Sequence, residues 1–310
     1  MTACFGQPIF IVGAPRSGTT LLQYMLRSHP NISLPTGESH FFIPLYSNRH
    51  TFGDLSQKEN IRRVLEAMYH QSSEFLDTDL HGLCFDIDSL ADEFQHQGRD
   101  TIPAIIAGLY EKNAAGEGKN RWGDKTPYYV LHMPTILEMF PDAQFIHLIR
   151  DGRDVLLSLF GRCHDFGVYN SYYGARYWEQ YVATGQHLGR QLAPDQYLEV
   201  RYEDLLAFPE RTVRHILNFL GEPFDPAVIH FRKAGEAGKT PLVQRDLQPK
   251  NIAKWRQRLK PWQLWLFEGA VGSLLYSNGY PLATKARPLP LPVRLLGRLH
   301  NNWKRRWRKN

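Results

Sequence analysis

The chain has 310 residues, of which 43% are hydrophobic and 22% are charged, as in a globular protein of one large or two small domains. No stretch approaches the roughly 18 consecutive apolar residues that a membrane-spanning helix requires. The three cysteines, Cys4, Cys84 and Cys163, lie far apart without a C-x-x-C pair, so neither a disulfide framework nor a zinc site is indicated.

The positive charge is concentrated near the C-terminal end. The formal net charge is +6, yet residues from Lys285 onward hold nine Lys and Arg and no acid, which leaves 28 basic and 31 acidic residues before them. The larger part of the chain is therefore not a basic nucleic-acid binder. The start, MTACFGQPIFIVG, lacks the basic region of a signal peptide. We expect a reducing, cytoplasmic setting.

In the first half of the chain, apolar runs and helical periodicity alternate. The segment PIFIVG is typical of a buried parallel strand, and the segment after it has apolar residues at helical spacing. Between residues 44 and 124 we find helical patterns but no clear signal of a parallel strand. The predicted elements are a strand over 8–13, a helix over 19–29, a short strand and turn over 31–42, and helices over 58–70 and 102–113.

The second half continues the alternation. Its predicted elements are a helix over 126–141, a strand over 143–150, a helix over 154–163, a strand and turn over 196–206, and helices over 209–221, 251–259 and 261–280. Strands that alternate with helices favour a parallel sheet covered by helices on both faces, that is, an α/β three-layer sandwich.

The turn after the first strand has the glycine spacing of a phosphate-binding loop. The nucleotide-triphosphatase pattern is G-x-x-x-x-G-K-[ST], but here Thr19 stands in place of the lysine. Glycines let the backbone N–H groups approach an anion, and the following helix adds its positive end. An ordinary glycine-rich turn is the alternative. The candidate ligands are Gly13, Arg16, Ser17, Gly18, Thr19 and Thr20.

A second candidate anion site lies in FIHLIRDGRDVLLSLFGR. Arg150 ends a strand, and Ser158 and Arg162 follow at positions that would share one helical face. All three could converge on one anion at the same sheet edge as the first loop. The alternative is an exposed turn with the ion pairs Arg150–Asp154 and Asp151–Arg153.

Together, PRSGTT after a strand and RDGRD with a serine eight residues after its first arginine resemble the sulfotransferases that use 3′-phosphoadenosine 5′-phosphosulfate (PAPS). The resemblance covers about residues 8–280 and is nearest to the branch with tyrosylprotein sulfotransferases and bacterial relatives. It implies a P-loop nucleoside triphosphate hydrolase-like fold. It further implies that the first loop holds the 5′-phosphosulfate, that Arg150 and Ser158 hold the 3′-phosphate, and that Arg162 falls on a further contact of the family.

The same resemblance assigns further residues. In VRYEDLL, Tyr202 falls near the adenine, and in AKW, Lys254 contacts the donor. The segment WGDKTPYY resembles the family's lysine segment, so Lys125 takes the place of the missing loop lysine. The loop GKTPLVQRDLQ resembles the family's closing loop only loosely, through Thr240 and Arg245.

A hydroxyl acceptor must lose a proton as it attacks sulfur, which requires a general base. Glu38 in TGESHFF resembles the family's glutamate, and His40 is the alternative base. In the implied in-line transfer, Arg16 binds the sulfonate and Lys125 stabilises charge on the leaving oxygen. No metal is expected, because cationic side chains supply the charge.

Two other functions compete with this interpretation. A small-molecule kinase would need a loop lysine and a Mg²⁺ carboxylate, and a non-catalytic nucleotide-binding protein would need neither Glu38 nor Lys125. The acceptor stays open among carbohydrates, phenols and peptide tyrosines. We expect one domain over 1–284, with a mainly helical acceptor-side insertion over 44–124, and a homodimer is left open.

Residues 285–310 form a basic tail that contains tryptophans. A helix there would place Leu296, Leu299, Trp303 and Trp307 on one face, as in helices that lie at a membrane interface, although Gly297 and the sequence HNN weaken the pattern. The alternative is a solvated basic end. We favour peripheral contact with the inner face of a membrane.

Overall fold

Five parallel strands form a central sheet. A computed structural model describes residues 5–231, 251–285 and 287–307 of the chain. The strands stand in the order β2-β3-β1-β4-β5, and every adjacent pair is parallel. Their bounds are β1 Ile9–Gly13, β2 Ile32–Ser33, β3 Arg121–Asp124, β4 Gln144–Ile149 and β5 Tyr197–Arg201.

Helices connect these strands and cover the sheet. In chain order they are α1 Thr19–Arg27, α2 Phe42–Ser47, α3 Lys58–Glu74, α4 Ile87–His96, α5 Ile102–Gly116, α6 Met133–Met139, α7 Gly152–Phe160, α8 Cys163–Phe166, α9 Ser171–Gly189, α10 Tyr202–Ala207, α11 Pro209–Leu220, α12 Trp255–Arg258, α13 Pro261–Ser277 and α14 Leu291–Arg306. A π-helical turn, Phe75–Asp79, follows α3, and short 3-10 helices span Arg49–Thr51, Pro127–His132 and Pro226–Val228.

Strand β1 explains why helices lie on both faces. Its residues are all buried, and alternate side chains point to opposite faces of the sheet. Phe10 belongs to a core that includes α3, α5, α9 and α13, whereas Ile9 and Ile11 belong to a core with α1 and α11. The predicted α/β class, with a parallel sheet covered on both faces, is confirmed.

Strand β3 lies within residues 44–124, where the sequence shows no clear signal of a parallel strand. Its sequence, RWGD, has only one large apolar residue. Contacts with β1 and β2, and not a local apolar pattern, place it in the sheet. A Cβ at Gly123 would lie 2.6 Å from the carbonyl oxygen of Ile9, so glycine permits the close register. Arg121 is buried because its guanidinium binds the carbonyl of Leu220 and lies 3.1 Å from Glu222.

Several helix bounds also differ from the predictions. The helix expected over 126–141 divides into a 3-10 helix, Pro127–His132, and α6, with proline near each start. Proline suits a first turn and lacks the N–H that would continue a preceding helix. The helix expected over 154–163 is α7, which ends at Phe160, and only Trp255–Arg258 of 251–259 is helical.

The C-terminal tail contains a helix, α14, that packs on α9. Gly297 faces Tyr172, where an added Cβ would lie 2.7 Å from the ring, and Asn301 is fully buried. The Asn301 side chain accepts from the Tyr169 N–H at 2.8 Å and donates to the Gly167 carbonyl at 2.9 Å. Gly297 and Asn301, which weaken the helical pattern in the sequence, are the residues that fit this helix to the body.

Candidate active site

The loop between β1 and α1 has the strained geometry of an anion-binding turn. Gly13 and Gly18 have φ values of 151° and 100°, and Cβ atoms there would collide with the Leu148 carbonyl and the Tyr202 ring. Arg16 has φ 73° although it is not glycine. Strained backbone of this kind persists where surrounding contacts impose it, often at functional sites.

Polar groups of this loop are left for a ligand. The Ser17 hydroxyl is buried and has no hydrogen-bond partner among the described residues. The first N–H groups of α1, at Thr19 and Thr20, lack an intrahelical partner, as at the start of any helix. Gly18, at the N-cap, has no side chain that could accept from them. The loop can therefore bind an anion at the positive end of α1.

Arg16 joins the two motifs. Its Nε donates to the Ser158 hydroxyl at 3.0 Å, and its carbonyl accepts from Arg150 at 3.3 Å. Burial, followed by the charges of Arg162 and Arg150, lowers the pKa of Arg16. Several cations in one place favour a bound anion, since an anion relieves their mutual repulsion.

Arg150 is held in place from three sides. It donates to the Asn251 carbonyl at 3.0 Å, its guanidinium lies 4.4 Å from the centre of the Tyr202 ring, and its own carbonyl accepts from Trp178. Asn251 in turn donates to the Tyr202 hydroxyl at 2.8 Å. The buried Nε of Arg150 has no partner within the described ranges, so one donor remains for a ligand.

Lys254 is brought to Arg150 by a buried carboxylate. Asp154, on α7, accepts from the N–H groups of Ala253 and Trp255 at 2.8 and 2.9 Å, which fixes the backbone on both sides of Lys254. Ala253 has φ 58°. Burial, then the charges of Arg150 and Arg258, lowers the pKa of Lys254.

Lys125 and Glu38 form an ion pair. Lys125 follows β3 directly, and its Nζ lies 2.8 Å from Oε1 of Glu38. His40, with φ 55°, places its Nε2 3.2 Å from Oε2 of the same carboxylate. Arg16, His40 and Ala253 are the non-glycine residues with left-handed φ in the described part of the chain, and each is in or beside this site.

The carboxylate of Glu38 is strongly stabilised in its charged form. Burial acts to raise its pKa, but the charge of Lys125 and hydrogen bonds from His40 and Lys125 outweigh burial, so the pKa falls to about 2. The hydrogen bond to Glu38 raises the pKa of His40 against the effect of burial. At neutral pH Glu38 is therefore an anion that can accept a proton.

A cavity of about 480 Å³ lies between the first loop and the Lys125–Glu38 pair. Arg16 and Thr20 of the first loop line it together with Glu38 and Lys125. The opposite wall consists of residues from the end of α3 and the π-helical turn. Thr36, in the loop after β2, donates to the Asp79 carboxylate at 2.8 Å and holds this wall in place.

Most of the predicted site residues lie together at the carboxyl edge of the sheet, but the expected geometry of Arg162 is wrong. Because α7 ends at Phe160, Ser158 and Arg162 do not share a helical face. Arg162 pairs with Asp165 and lines the cavity beside Arg16. Thr240 and Arg245 lie outside the described residues.

The alternative explanation of RDGRD is partly right. Arg150 and Asp154 approach to 4.0 Å, and Arg153 binds Asp151 at 2.8 Å, but both pairs are buried and not exposed. Sequence reasoning missed the positioning residue Asn251 and the role of Asp154 in fixing the backbone around Lys254. It expected the acceptor side within 44–124 but did not identify the cavity wall at 71–79. These roles depend on contacts with distant parts of the chain, so the local sequence does not show them.

Comparisons with known proteins show the family of the chain. The profile described as "Sulfotransferase family" matches residues 8–226. The chain is similar to the protein-tyrosine sulfotransferase of Drosophila melanogaster, with 28% identity over 72% of this chain and 39% of that protein. It is also similar to protein-tyrosine sulfotransferase 1 of Homo sapiens, with 28% identity over 82% of this chain and 64% of that protein. The chain thus spans less than two thirds of these two relatives.

A solved structure is also similar. The sulfotransferase domain from the Synechococcus PCC 7002 olefin synthase superposes with a TM-score of 0.60 and 26% identity, covering 89% of this chain and 97% of that one. Since the profile matches well over half of the chain, the predicted family is confirmed. The chain belongs to the sulfotransferase family.

Proposed function

We propose that this chain transfers a sulfuryl group from 3′-phosphoadenosine 5′-phosphosulfate to a hydroxyl acceptor. The observation that carries the proposal is the Lys125–Glu38 pair, which lines one cavity with Arg16 and Thr20 of the first loop. A base, a cation and an anion-binding turn are the parts that in-line transfer to a hydroxyl needs.

The donor's two anionic groups match two unsatisfied regions of the site. The unpartnered Ser17 hydroxyl and the N–H groups at Thr19 and Thr20 suit the 5′-phosphosulfate. The Nε of Arg150, which has no partner among the described residues, suits the 3′-phosphate, and Arg16 links it to Ser158, since Arg16 accepts from Arg150 through its carbonyl and donates to the Ser158 hydroxyl. Tyr202 offers a ring for the adenine, and Lys254 and Arg162 add charge at the two ends.

Glu38 is proposed as the general base and Lys125 as the group that stabilises the leaving oxygen. In the structure these two side chains neutralise each other. A donor anion would compete with Glu38 for Lys125, which would free the carboxylate and make it more basic. Arg16 would hold the sulfonate. We propose that these cations take the part that a metal ion plays in kinases.

The acceptor would enter beside the wall formed by residues 71–79. This wall belongs to the region over 44–124 that we propose as the acceptor-side insertion of a single domain over 1–284. A carbohydrate, a phenol or a peptide tyrosine each carries the required hydroxyl. Incubating labelled donor with one acceptor of each class, and identifying the labelled product, would choose among them.

The proposed compartment and partners of the protein follow from its composition and its tail. We propose a cytoplasmic protein whose tail over 285–310 touches the inner face of a membrane, with no nucleic-acid partner. Within the described ranges, no helix is both long and apolar enough to cross a membrane.

A thermal shift assay tests the donor. Adenosine 3′,5′-bisphosphate should raise the melting temperature, because a ligand that binds only the folded state stabilises it. ATP with Mg²⁺ should raise it less, since Thr19 stands where a kinase loop has lysine. A larger shift with ATP and Mg²⁺ would support a kinase and overturn the proposal.

A further inference from the structure

The helix α14 turns its apolar face away from the protein. Gly297 and the buried Asn301 face the body, and the large apolar residues lie roughly half a turn away from Asn301 on the helix. Their exposed fractions are 56% for Leu295, 65% for Leu296, 63% for Leu299, 51% for Trp303 and 73% for Trp307.

This orientation is built into the contacts of α14 with the body. Besides the two hydrogen bonds of Asn301, the Asn170 side chain donates to the Gly297 carbonyl at 2.8 Å. At the other end Leu289 is buried, and its N–H donates to the carbonyl of Gly269 on α13. The helix α14 is therefore docked with Gly297 and Asn301 inward and with its leucines and tryptophans outward.

A basic groove of about 650 Å³ lies beside this helix, between α9, α13 and α14. Four arginines line it: Arg176, Arg287, Arg294 and Arg298. In the described part of the chain Arg287 and Arg298 make no hydrogen bond or ion pair with a side chain, whereas Arg294 donates to the Leu289 carbonyl at 2.7 Å and Arg176 pairs with Glu179.

The acidic residue of the groove does not offset these charges. Glu268 is bound by Arg153 at 2.7 Å and by the backbone N–H of Thr284 at 2.8 Å. Its carboxylate is fully buried and is occupied on the inner side by Arg153, which it shares with Asp151, and by donors of Ala283 and Thr284, so a single buried carboxylate faces four arginines in the groove. The groove is consequently a concave, cationic site. It adjoins the exposed apolar face of α14, since Leu291 and Leu295 line it.

We propose that this groove binds the phosphate headgroup of an anionic phospholipid while the outward face of α14 lies in the membrane interface. The proposal specifies a site for the membrane contact proposed above, and it does not depend on sulfuryl transfer. Arginine forks match phosphate oxygens in pairs, and tryptophans prefer headgroup depth. Apolar area and attraction to anionic lipid both strengthen such binding.

Charge argues for a membrane over a second copy of the chain. The tail from Lys285 onward has nine Lys and Arg and no acid, so two tails face to face would repel each other. An anionic bilayer provides both an apolar layer and negative charge. Trp262 and Trp265 are also exposed, and they precede the groove residue Gly269 on α13 at spacings of three and four residues, which places them on the same helical face as Gly269.

The test is co-sedimentation of the full-length chain with phosphatidylcholine vesicles, with and without phosphatidylglycerol. We expect binding only to the anionic vesicles. The double variant Arg287→Gln/Arg298→Gln should bind at least about tenfold more weakly. Leu299→Ser/Trp303→Ser should also lose binding, although its melting temperature should be unchanged because both side chains are exposed.

Arg190→Gln/Arg214→Gln is the matched control, because it removes two exposed arginines from the body and should bind as the wild type does. Equal binding to neutral vesicles, no binding, or equal loss in the control would overturn the proposal. So would a dimer that forms without vesicles and that Leu299→Ser dissociates. Binding of adenosine 3′,5′-bisphosphate should be unchanged in every variant, so failure here is distinct from failure of the proposed function.

Discussion

At the scale of single residues, the central feature of the candidate site is the ion pair of Lys125 and Glu38. Lys125 reaches Glu38 from the end of β3, and its positive charge is the main influence that holds the pKa of Glu38 at about 2 against burial. A carboxylate held this firmly in its charged form is a weak base. The proposed mechanism therefore depends on the donor drawing Lys125 away.

Replacing Glu38 by glutamine tests its role as the base. Glu38→Gln keeps the size of the side chain but cannot accept the acceptor's proton, so turnover should fall by about 10²-fold or more. The affinity for adenosine 3′,5′-bisphosphate, measured by calorimetry, should stay within a few fold. Glu59→Gln, at an exposed position on α3, is the control. Undiminished turnover in Glu38→Gln would transfer the role to another group, with His40 the first to examine.

Replacing Lys125 tests the electrostatic coupling through pH. Burial raises and Lys125 lowers the pKa of Glu38, so in Lys125→Met the pKa should rise. Glu38 would then become protonated at a higher pH, and the acid limb of kcat/KM should move upward, whereas Lys125→Arg should keep the limb low. The measurement is kcat/KM against pH for all three proteins. A limb at the same pH in Lys125→Met would show that Lys125 does not control Glu38.

The sequence predicts residues of this site better than it predicts their surroundings. Gly13, Gly18 and Arg150 follow from spacing after buried strands, since the carboxyl ends of parallel strands meet at one edge. The roles of Asn251 and Asp154 could not be predicted in this way. Asn251 acts through the distant Tyr202, and Asp154 acts through the backbone around Lys254.

At the scale of elements, long-range contacts determine secondary structure and packing that the local sequence pattern does not predict. RWGD becomes β3 because Gly123 fits against Ile9 and because Glu222 and the Leu220 carbonyl satisfy Arg121. Likewise, Asn301 can be buried under α14 because the Tyr169 N–H donates to its side chain and the Gly167 carbonyl accepts from it. These partners are far away in sequence, so a pattern of neighbouring residues does not contain them.

The turn between β4 and α7 depends on a buried arginine. Arg153 binds Asp151 through two nitrogens, binds Glu268 at 2.7 Å, and lies 3.7 Å from the centre of the Trp255 ring. Arg153→Ala leaves two buried carboxylates with fewer partners and should reduce the free energy of unfolding by about 3–5 kcal/mol. Urea unfolding would measure the loss.

Arg214 provides the comparison for Arg153. It forms an exposed i,i+4 pair with Glu210 on α11, so Arg214→Ala should change the free energy of unfolding by less than about 1 kcal/mol. If the two variants unfold at the same urea concentration, the buried network does not stabilise the turn that carries Arg150.

At the scale of the whole molecule, the sheet order brings distant segments to one site. β1 stands between β3 and β4, so the first loop, Lys125 and Arg150 leave three adjacent strands at the same edge. The helical region before β3 supplies the cavity wall opposite them. The central claim is that the two motifs bind one adenosine nucleotide that carries a 3′-phosphate.

Calorimetry on two ligands and two proteins tests this claim most directly. Adenosine 3′,5′-bisphosphate and adenosine 5′-monophosphate differ only in the 3′-phosphate, and the wild type should bind the bisphosphate at least about tenfold more tightly, since charged hydrogen bonds contribute about 1.5–3 kcal/mol each. In Arg150→Ala that preference should largely disappear, because the partner of the 3′-phosphate is gone. An undiminished preference in Arg150→Ala, or no preference in the wild type, would contradict the account.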